Sequence, residues 1–226
     1  MDKIIRKAGK RKVLIYTQDD CTGYPVVYLH ASAEAVEGVA SLLSDIKVIL
    51  AAVDDVDWEC DLSPWPATRA FRGGTDFMGG ADAYLAELTE QIVPAVEGTI
   101  GFTPCCRGIA GYSMAGLFAV YALYRTDIFS RAASVSGSLW YDGFLDFMNE
   151  NRPVRLPETV YFSLGDREEV TKNRRLATVQ NCTAAAEKRM RDLGVKAVFE
   201  INEGNHFADV SERIAKGLRW ILNRKI

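Results

Sequence analysis

The chain has 226 residues, of which 48% are hydrophobic, so it can bury a substantial core. Its formal net charge of −3 gives no electrostatic reason to expect binding to nucleic acid or to an anionic membrane surface. We find neither a signal-peptide pattern nor an apolar run of about 18 residues, and therefore expect no membrane span. Five cysteines without metal-type spacing favour reduced thiols in a cytoplasmic protein, and two histidines are too few for a histidine-rich zinc site.

The first part of the chain alternates strand and helix patterns. Apolar runs at residues 12–17, 24–29 and 47–53 predict strands, and residues 33–43 predict a helix before the third of them. The run at 24–29 is apolar almost throughout, as is typical of a central strand that is covered on both faces. This order favours a mainly parallel sheet with helices on both faces.

A long loop rich in tryptophan, proline and glycine follows Val53 and continues to Gly80. Loops of this length inside compact domains are usually either functional or disordered. Four large aromatic residues, Trp58, Trp65, Phe71 and Phe77, argue against disorder, because they favour burial. The loop is therefore predicted to pack on the domain, and the sequence leaves open whether it also contacts a substrate.

The second part of the chain continues the α/β pattern to its end. A helix is predicted from about Ala83, strands at 132–136, 159–164 and 195–202, and a long amphipathic helix at about 173–193. A final helix is predicted to direct one apolar stripe inward: Phe207, Val210, Ile214, Leu218 and Ile221. No repeat or linker interrupts this pattern, so we expect one α/β domain over residues 1–226.

A serine between small residues is the strongest functional signal. Gly111-Tyr112-Ser113-Met114-Ala115 joins an apolar strand-like run to a helical run, which is the context of the nucleophile elbow of α/β-hydrolases. A turn this tight needs Gly or Ala on both flanks of the serine. It also places the backbone N–H of Met114 at a helix N-terminus, where it can stabilise an oxyanion.

A serine hydroxyl needs a base, and the chain order decides between the two histidines. α/β-Hydrolases order their triad as serine, acid and histidine, so His206 fits and His30 does not. His206 lies in a Gly-Asn turn between a predicted strand and the last helix. His30 is expected to have a structural role in the loop that follows the strand at 24–29.

The triad acid is expected between Ser113 and His206, where a strand ends. The segment Gly165-Asp166-Arg167-Glu168-Glu169 follows the predicted strand at 159–164 and offers three acids. The carboxylate would hold the imidazole tautomer and stabilise the imidazolium. Pattern alone does not choose among Asp166, Glu168 and Glu169, and Asp142 is an outside candidate.

The second oxyanion donor and the substrate pocket are expected at the edge of the sheet where the parallel strands end. A second oxyanion donor is expected from the backbone N–H of Ala31 or Ser32. Trp140 and Trp65 are predicted to line an apolar acyl or aryl pocket at that edge, with Tyr112 beside the nucleophile as a further substrate contact. The alternative is that these large side chains seal the core.

With these residues identified, the chain resembles the putative-esterase family of α/β-hydrolases, which includes esterase D-like enzymes and enterochelin esterases. The resemblance covers most of the chain, and the segment Ser136-Gly137-Ser138-Leu139-Trp140 is similar to the siderophore-esterase branch in particular. It implies a serine carboxylic-ester hydrolase that acts on a small-molecule ester, without metal or organic cofactor. The family's Gly-x-x-acid position falls on Glu168, which ranks this residue above Asp166.

One departure weakens the prediction of a polyanionic iron complex as substrate. Siderophore esterases tend to carry an arginine just before the Asp-x-x-Pro loop, where this chain has Trp58-Glu59-Cys60. Two other functions also stay open: an acyltransferase with the same triad, and a non-catalytic binding module that retains the fold. The sequence predicts no oligomeric state.

Overall fold

The computed structural model describes residues 1–70 and 73–223. Its core is an eight-stranded sheet with the spatial order β1-β2-β4-β3-β7-β8-β9-β10. These strands are β1 (Asp2–Ala8), β2 (Arg11–Thr17), β3 (Val26–His30), β4 (Ile49–Val53), β7 (Arg107–Tyr112), β8 (Arg131–Val135), β9 (Thr159–Gly165) and β10 (Lys196–Asn202). The pairs from β4 through β10 are parallel, while β2 pairs antiparallel with both β1 and β4.

Helices cover both faces of the sheet, as predicted. They are α1 (Ala33–Leu42), α2 (Ala81–Glu87), α3 (Val93–Ile100), α4 (Met114–Leu123), α5 (Phe144–Glu150), α6 (Val179–Asp192) and α7 (Val210–Leu222). Side chains of α1 and α7 form one core cluster with the sheet, and those of α2, α4 and α6 belong to the other. Every residue of α4 is buried, because this helix follows the elbow directly and packs on the middle of the sheet. The predicted α/β-hydrolase architecture is confirmed.

Four elements were not predicted from the sequence. Strand β1 is an edge strand whose side chains are mostly exposed, so its sequence lacks the apolar pattern of a buried strand. Helix α5 has only seven residues. Inside the long loop, β5 (Pro66–Ala67) and β6 (Phe77–Met78) form a two-residue antiparallel pair. Such short segments carry almost no periodicity.

Two predicted helices differ in extent from the observed ones. Helix α6 begins at Val179, after a 3₁₀ turn at Leu176–Thr178, and not near residue 173. Helix α7 begins at Val210, and Phe207 is 83% exposed in the preceding turn. The prediction that Phe207 points inward is therefore wrong, because this residue precedes α7 and does not follow the periodicity of that helix.

The long loop packs on the domain, in agreement with the prediction. Leu62 and Phe77 belong to the buried core, and Trp58 and Trp65 pack against it. Phe71, which was also predicted to favour burial, lies outside the described residues. Within residues 1–70 and 73–223, no helix combines the length and apolar character that crossing a membrane requires.

Candidate active site

Ser113 occupies the sharp turn between β7 and α4. Its backbone angles are φ 58° and ψ −122°, a region that a residue with a side chain rarely adopts. A Cβ atom on Gly111 would overlap the carbonyl of Ala115, so only glycine fits this flank of the turn. The geometry is that of a nucleophile elbow, in which the close approach of strand and helix fixes the direction of the serine side chain.

A continuous hydrogen-bonded chain connects Ser113 to His206 and Glu168. His206 Nε2 lies 3.1 Å from Ser113 Oγ, and His206 Nδ1 lies 2.7 Å from Glu168 Oε2. The three residues come from the turn after β7, the loop after β9 and the turn before α7. Both distances are within the hydrogen-bonding range that a base needs to accept the serine proton and that an acid needs to orient the base.

The carboxylate of Glu168 is almost completely buried, with 3% of its side chain exposed. Its second oxygen, Oε1, accepts hydrogen bonds from the Gly165 N–H at 2.6 Å and the Ser136 hydroxyl at 2.7 Å. Burial alone would raise the pKa of Glu168, but the bonds from His206, Gly165 and Ser136 together hold that pKa below its usual value. The group is therefore held as a carboxylate, the form that stabilises an imidazolium.

The other acids considered from the sequence make different contacts. Asp166 Oδ1 accepts a hydrogen bond from the Gly204 N–H at 2.9 Å, so this carboxylate stabilises the turn that carries His206. Glu169 is exposed. Asp142 lies 2.9 Å from Arg175 Nη2 in an ion pair. Of the four candidates, Glu168 is the one that contacts the imidazole.

A cavity of about 530 Å³ opens beside Ser113 and His206. Its walls combine residues of the long loop, among them Trp58 and Phe77, with Trp140 from the segment after β8. The ring centroids of Phe77 and Trp140 lie 6.3 Å apart. A cavity of this size accommodates a group as large as an aromatic ring with substituents, and its aromatic walls favour an apolar one.

Two predicted pocket residues require correction. Trp65 is not among the described residues that line the cavity: its indole packs against a cluster of aromatic rings and donates from Nε1 to the Asp142 carbonyl at 2.9 Å. Tyr112 is also absent from the described lining. Its ring packs at a tilt against that of His206, with the centroids 5.3 Å apart, and its hydroxyl donates to the His206 carbonyl. Both side chains make their observed contacts with neighbouring structure.

The predicted oxyanion donors are placed differently from each other. Met114 lines the cavity and is the first residue of α4, so its N–H has no partner within the helix. Ala31 and Ser32 follow His30, which is paired with Gly111 in the sheet, so they lie at the same sheet edge as the elbow. Both line a second, smaller cavity and are not among the described residues that line the first. Their role as donors stays a prediction.

His30 is 1% exposed, and its Nε2 lies 2.7 Å from the Tyr84 hydroxyl. Its ring also packs edge-on against Phe118. Burial lowers the pKa of His30 to about 4, so the imidazole is neutral near pH 7. These contacts fit the structural role predicted for this histidine.

Three residues of the site had no assigned role in the sequence analysis. Ser136 donates to Glu168, Ser138 Oγ lies 3.5 Å from Ser113 Oγ, and Arg213 Nη1 lies 3.3 Å from Glu168 Oε1. The signal for Ser136 and Ser138 is that two serines directly follow a predicted strand, which indicates polar groups at the sheet edge. Arg213 lies among the inward apolar residues of the last helix. A charge at such a position indicates a buried group that needs a partner.

Similarity to known proteins indicates the family of the chain. The chain matches the family described as "Putative esterase" over residues 7–217. The chain belongs to this family. The predicted class of activity, carboxylic-ester hydrolysis, is thereby confirmed.

Individual relatives are distant in sequence but similar in fold. An uncharacterized protein of Bacillus subtilis (strain 168), YbbA, is 23% identical over 96% of this chain and 95% of its own length. The IroE-like serine hydrolase from Shewanella oneidensis superposes with a TM-score of 0.83 at 17% identity, over 97% of this chain and 79% of that one. For the siderophore hydrolase EstB from Aspergillus nidulans the TM-score is 0.74 at 18% identity, over 97% and 94%. At these identities the structural likeness supports the fold.

Proposed function

We propose that the protein hydrolyses carboxylic esters through an acyl-enzyme intermediate on Ser113. The observation that carries the proposal is the hydrogen-bonded chain from Ser113 Oγ through the His206 imidazole to the buried carboxylate of Glu168. The elbow geometry of Ser113 and the adjoining cavity support it further. All the groups that the reaction requires are then protein groups.

The proposed chemistry has two half-reactions. Ser113 Oγ attacks the acyl carbon while His206 Nε2 accepts its proton, and Glu168 stabilises the resulting imidazolium. The Met114 N–H, with a second donor from Ala31 or Ser32, stabilises the tetrahedral oxyanion. His206 then returns the proton to the departing alkoxide. In the second half-reaction His206 accepts a proton from a water molecule that attacks the acyl carbon, and it returns this proton to Ser113 Oγ as the acyl–oxygen bond breaks and the carboxylic acid leaves.

The cavity walls favour an ester with an aryl or other bulky apolar group. Trp58, Phe77 and Trp140 supply large apolar side chains to the cavity that Ser113 also lines, and Arg69 and Arg167 are further lining residues. The siderophore hydrolase among the structural neighbours supports testing a siderophore-type ester or lactone as one member of this class. Trp140 is proposed as the principal substrate contact, because it lines the cavity and its ring packs against that of Phe77.

Product analysis in ¹⁸O-labelled water tests the reaction type. Aryl esters, alkyl esters and lactones are incubated with the protein, and mass spectrometry measures ¹⁸O in the released carboxylic acid, with Ser113→Ala as the matched control. A hydrolase incorporates one ¹⁸O from solvent. Transfer of the acyl group to an added alcohol or amine in preference to water would identify an acyltransferase. If neither turnover nor an acyl-enzyme is detected, the alternative that the protein is a non-catalytic binding module is favoured.

The proposed setting is the cytoplasm, with a small-molecule substrate as the partner. All five cysteines are free thiols, which fits a reducing compartment. A single domain over residues 1–226 and the lack of nucleic-acid binding also stay proposals, supported by the continuous sheet and the slightly negative net charge.

A further inference from the structure

Arg213 is a charged side chain buried behind the triad acid. It lies in the first turn of α7, and 2% of its side chain is exposed. Nη1 lies 3.3 Å from Glu168 Oε1 and 3.4 Å from Ser136 Oγ, and Nη2 donates to the Glu203 carbonyl at 2.8 Å. The guanidinium therefore contacts both the acid and the turn that carries His206.

A buried guanidinium is costly unless a negative charge accompanies it. Glu168, whose side chain is 3% exposed, is the carboxylate that forms an ion pair with Arg213 in the described part of the chain. Each charge thus compensates the burial of the other. Arg213 contacts Glu168 at Oε1, so Oε2 can accept a hydrogen bond from His206 Nδ1.

The surrounding backbone fits closely around this pair. A Cβ atom on Gly165 would overlap the Gly204 carbonyl and lie 2.8 Å from Arg213 Nη2. Gly165 also donates its N–H to Glu168 Oε1. The guanidinium and the carboxylate therefore link three elements: the end of β9, the turn before His206 and the start of α7.

We propose that Arg213 is a positioning residue of the active site, which balances the buried charge of Glu168 and holds its Oε2 toward His206. This inference rests on the proposed function, because it gives Arg213 a role in that same triad. The guanidinium contacts neither Ser113 nor the cavity, so it acts through Glu168.

The sign of the electrostatic effect on His206 follows from the charges present. With Arg213 in place, the buried pair behind the imidazole has no net charge. A neutral residue at position 213 leaves the carboxylate unbalanced, which favours the imidazolium and raises the pKa of His206. The other charged or titratable groups around the triad are unchanged by the substitution: Tyr112, Asp166, Arg167 and, across the cavity, Glu59 and Arg69.

The pKa of His206 can be measured directly by NMR, independently of any ester substrate. The chain has two histidines, and His30 is buried with its pKa lowered to about 4, so the resonances of the two imidazoles can be told apart. We expect Arg213→Met to raise the pKa of His206 by about one unit, because this is the effect of removing a unit charge several ångströms away in a partly screened site. Arg213→Lys, which retains the charge, should stay within about 0.3 units of the unmodified protein.

Arg131→Met is the matched control for the loss of a buried arginine. Arg131 is also buried, pairs with Glu158 and donates to the Ile221 carbonyl at 2.9 Å, but it begins β8 at the opposite edge of the sheet from Ser113. Its replacement should lower the melting temperature and leave the His206 titration unchanged. A merely structural role for Arg213 predicts this same result for Arg213→Met.

A double variant guards against misfolding of Arg213→Met. Glu168→Gln/Arg213→Met removes both buried charges, so no uncompensated charge remains. The direct electrostatic effect of the Arg213 charge on His206 is lost in both backgrounds, so if Arg213 also acts through Glu168, the shift caused by Arg213→Met differs between the unmodified protein and Glu168→Gln. An unshifted His206 in Arg213→Met, or the same shift in both backgrounds, overturns the proposal. Because the readout is a titration, a protein that hydrolyses no ester would refute the proposed function and still test Arg213.

Discussion

Replacement of the triad acid by its amide gives the sharpest quantitative prediction. Glu168 lies 2.7 Å from His206 Nδ1, and its charge is lost in Glu168→Gln while the shape is retained. Two unit charges about 4 Å apart attract by about 4 kcal/mol at an effective dielectric constant of about 20, which corresponds to roughly 10³-fold in rate. The amide also brings an NH₂ group to a site where the Gly165 N–H and the Ser136 hydroxyl both require an acceptor. We therefore expect kcat to fall by about 10³ to 10⁴.

Two neighbouring acids provide the controls for this substitution. Asp166→Asn retains an oxygen for the Gly204 N–H, so its cost should be at most about 1 kcal/mol, or less than about tenfold in kcat. Glu169→Gln alters an exposed group and should change kcat by less than about twofold. Steady-state hydrolysis of an aryl ester by the three variants decides the ranking. If Asp166→Asn is the most damaging, or if all three changes are mild, the assignment of Glu168 as the acid is incorrect.

Further predictions concern the nucleophile and base, the pocket and the buried histidine. Ser113→Ala and His206→Ala should each lower kcat by about four orders of magnitude with little change in substrate affinity, measured by steady-state kinetics and equilibrium binding; near-normal turnover by His206→Ala would refute its role as base. Trp140→Ala should weaken kcat/KM for bulky aryl esters by about 1–3 kcal/mol more than for acetyl esters, whereas a uniform loss with a lower melting temperature would make Trp140 structural. Because burial lowers the pKa of His30 to about 4 while that of the unfolded chain is near 6.5, the unfolded state binds the extra proton first as the pH falls. The free energy of unfolding should therefore drop by about 3 kcal/mol between pH 6.5 and 4, and chemical denaturation of His30→Gln should lack this drop.

The central part of the site was predictable because its chemistry is tied to local sequence. Ser113 stands where an apolar strand meets an apolar helix, and the tight turn between them restricts the flanking residues to Gly or Ala. His206 followed from the order of the triad along the chain together with the scarcity of histidines. The acid was not predictable from pattern alone: Asp166, Glu168 and Glu169 lie within four residues, and only the path of the loop decides which one reaches the imidazole.

The errors have a common physical cause, which is that tertiary packing sets the direction and the partners of a side chain. Trp65 and Trp140 both follow strands at the same sheet edge, yet Trp65 turns into an aromatic cluster while Trp140 faces the cavity. Phe207 was assigned to the apolar stripe of α7, but the turn that places His206 toward Ser113 exposes the next side chain. Arg213 was passed over because it belongs to a helix whose other inward residues are apolar, and its partner is 45 residues away along the chain.

Covalent labelling of the nucleophile tests the central claim most directly. A fluorophosphonate probe reacts with a serine only where a neighbouring base activates its hydroxyl, and intact-mass and peptide mass spectrometry then locate the adduct. We predict one adduct per chain, on Ser113, that is absent in Ser113→Ala and strongly slowed in His206→Ala and Glu168→Gln. Absence of labelling in the unmodified protein, or labelling that persists in Ser113→Ala, would contradict a serine hydrolase centred on this triad.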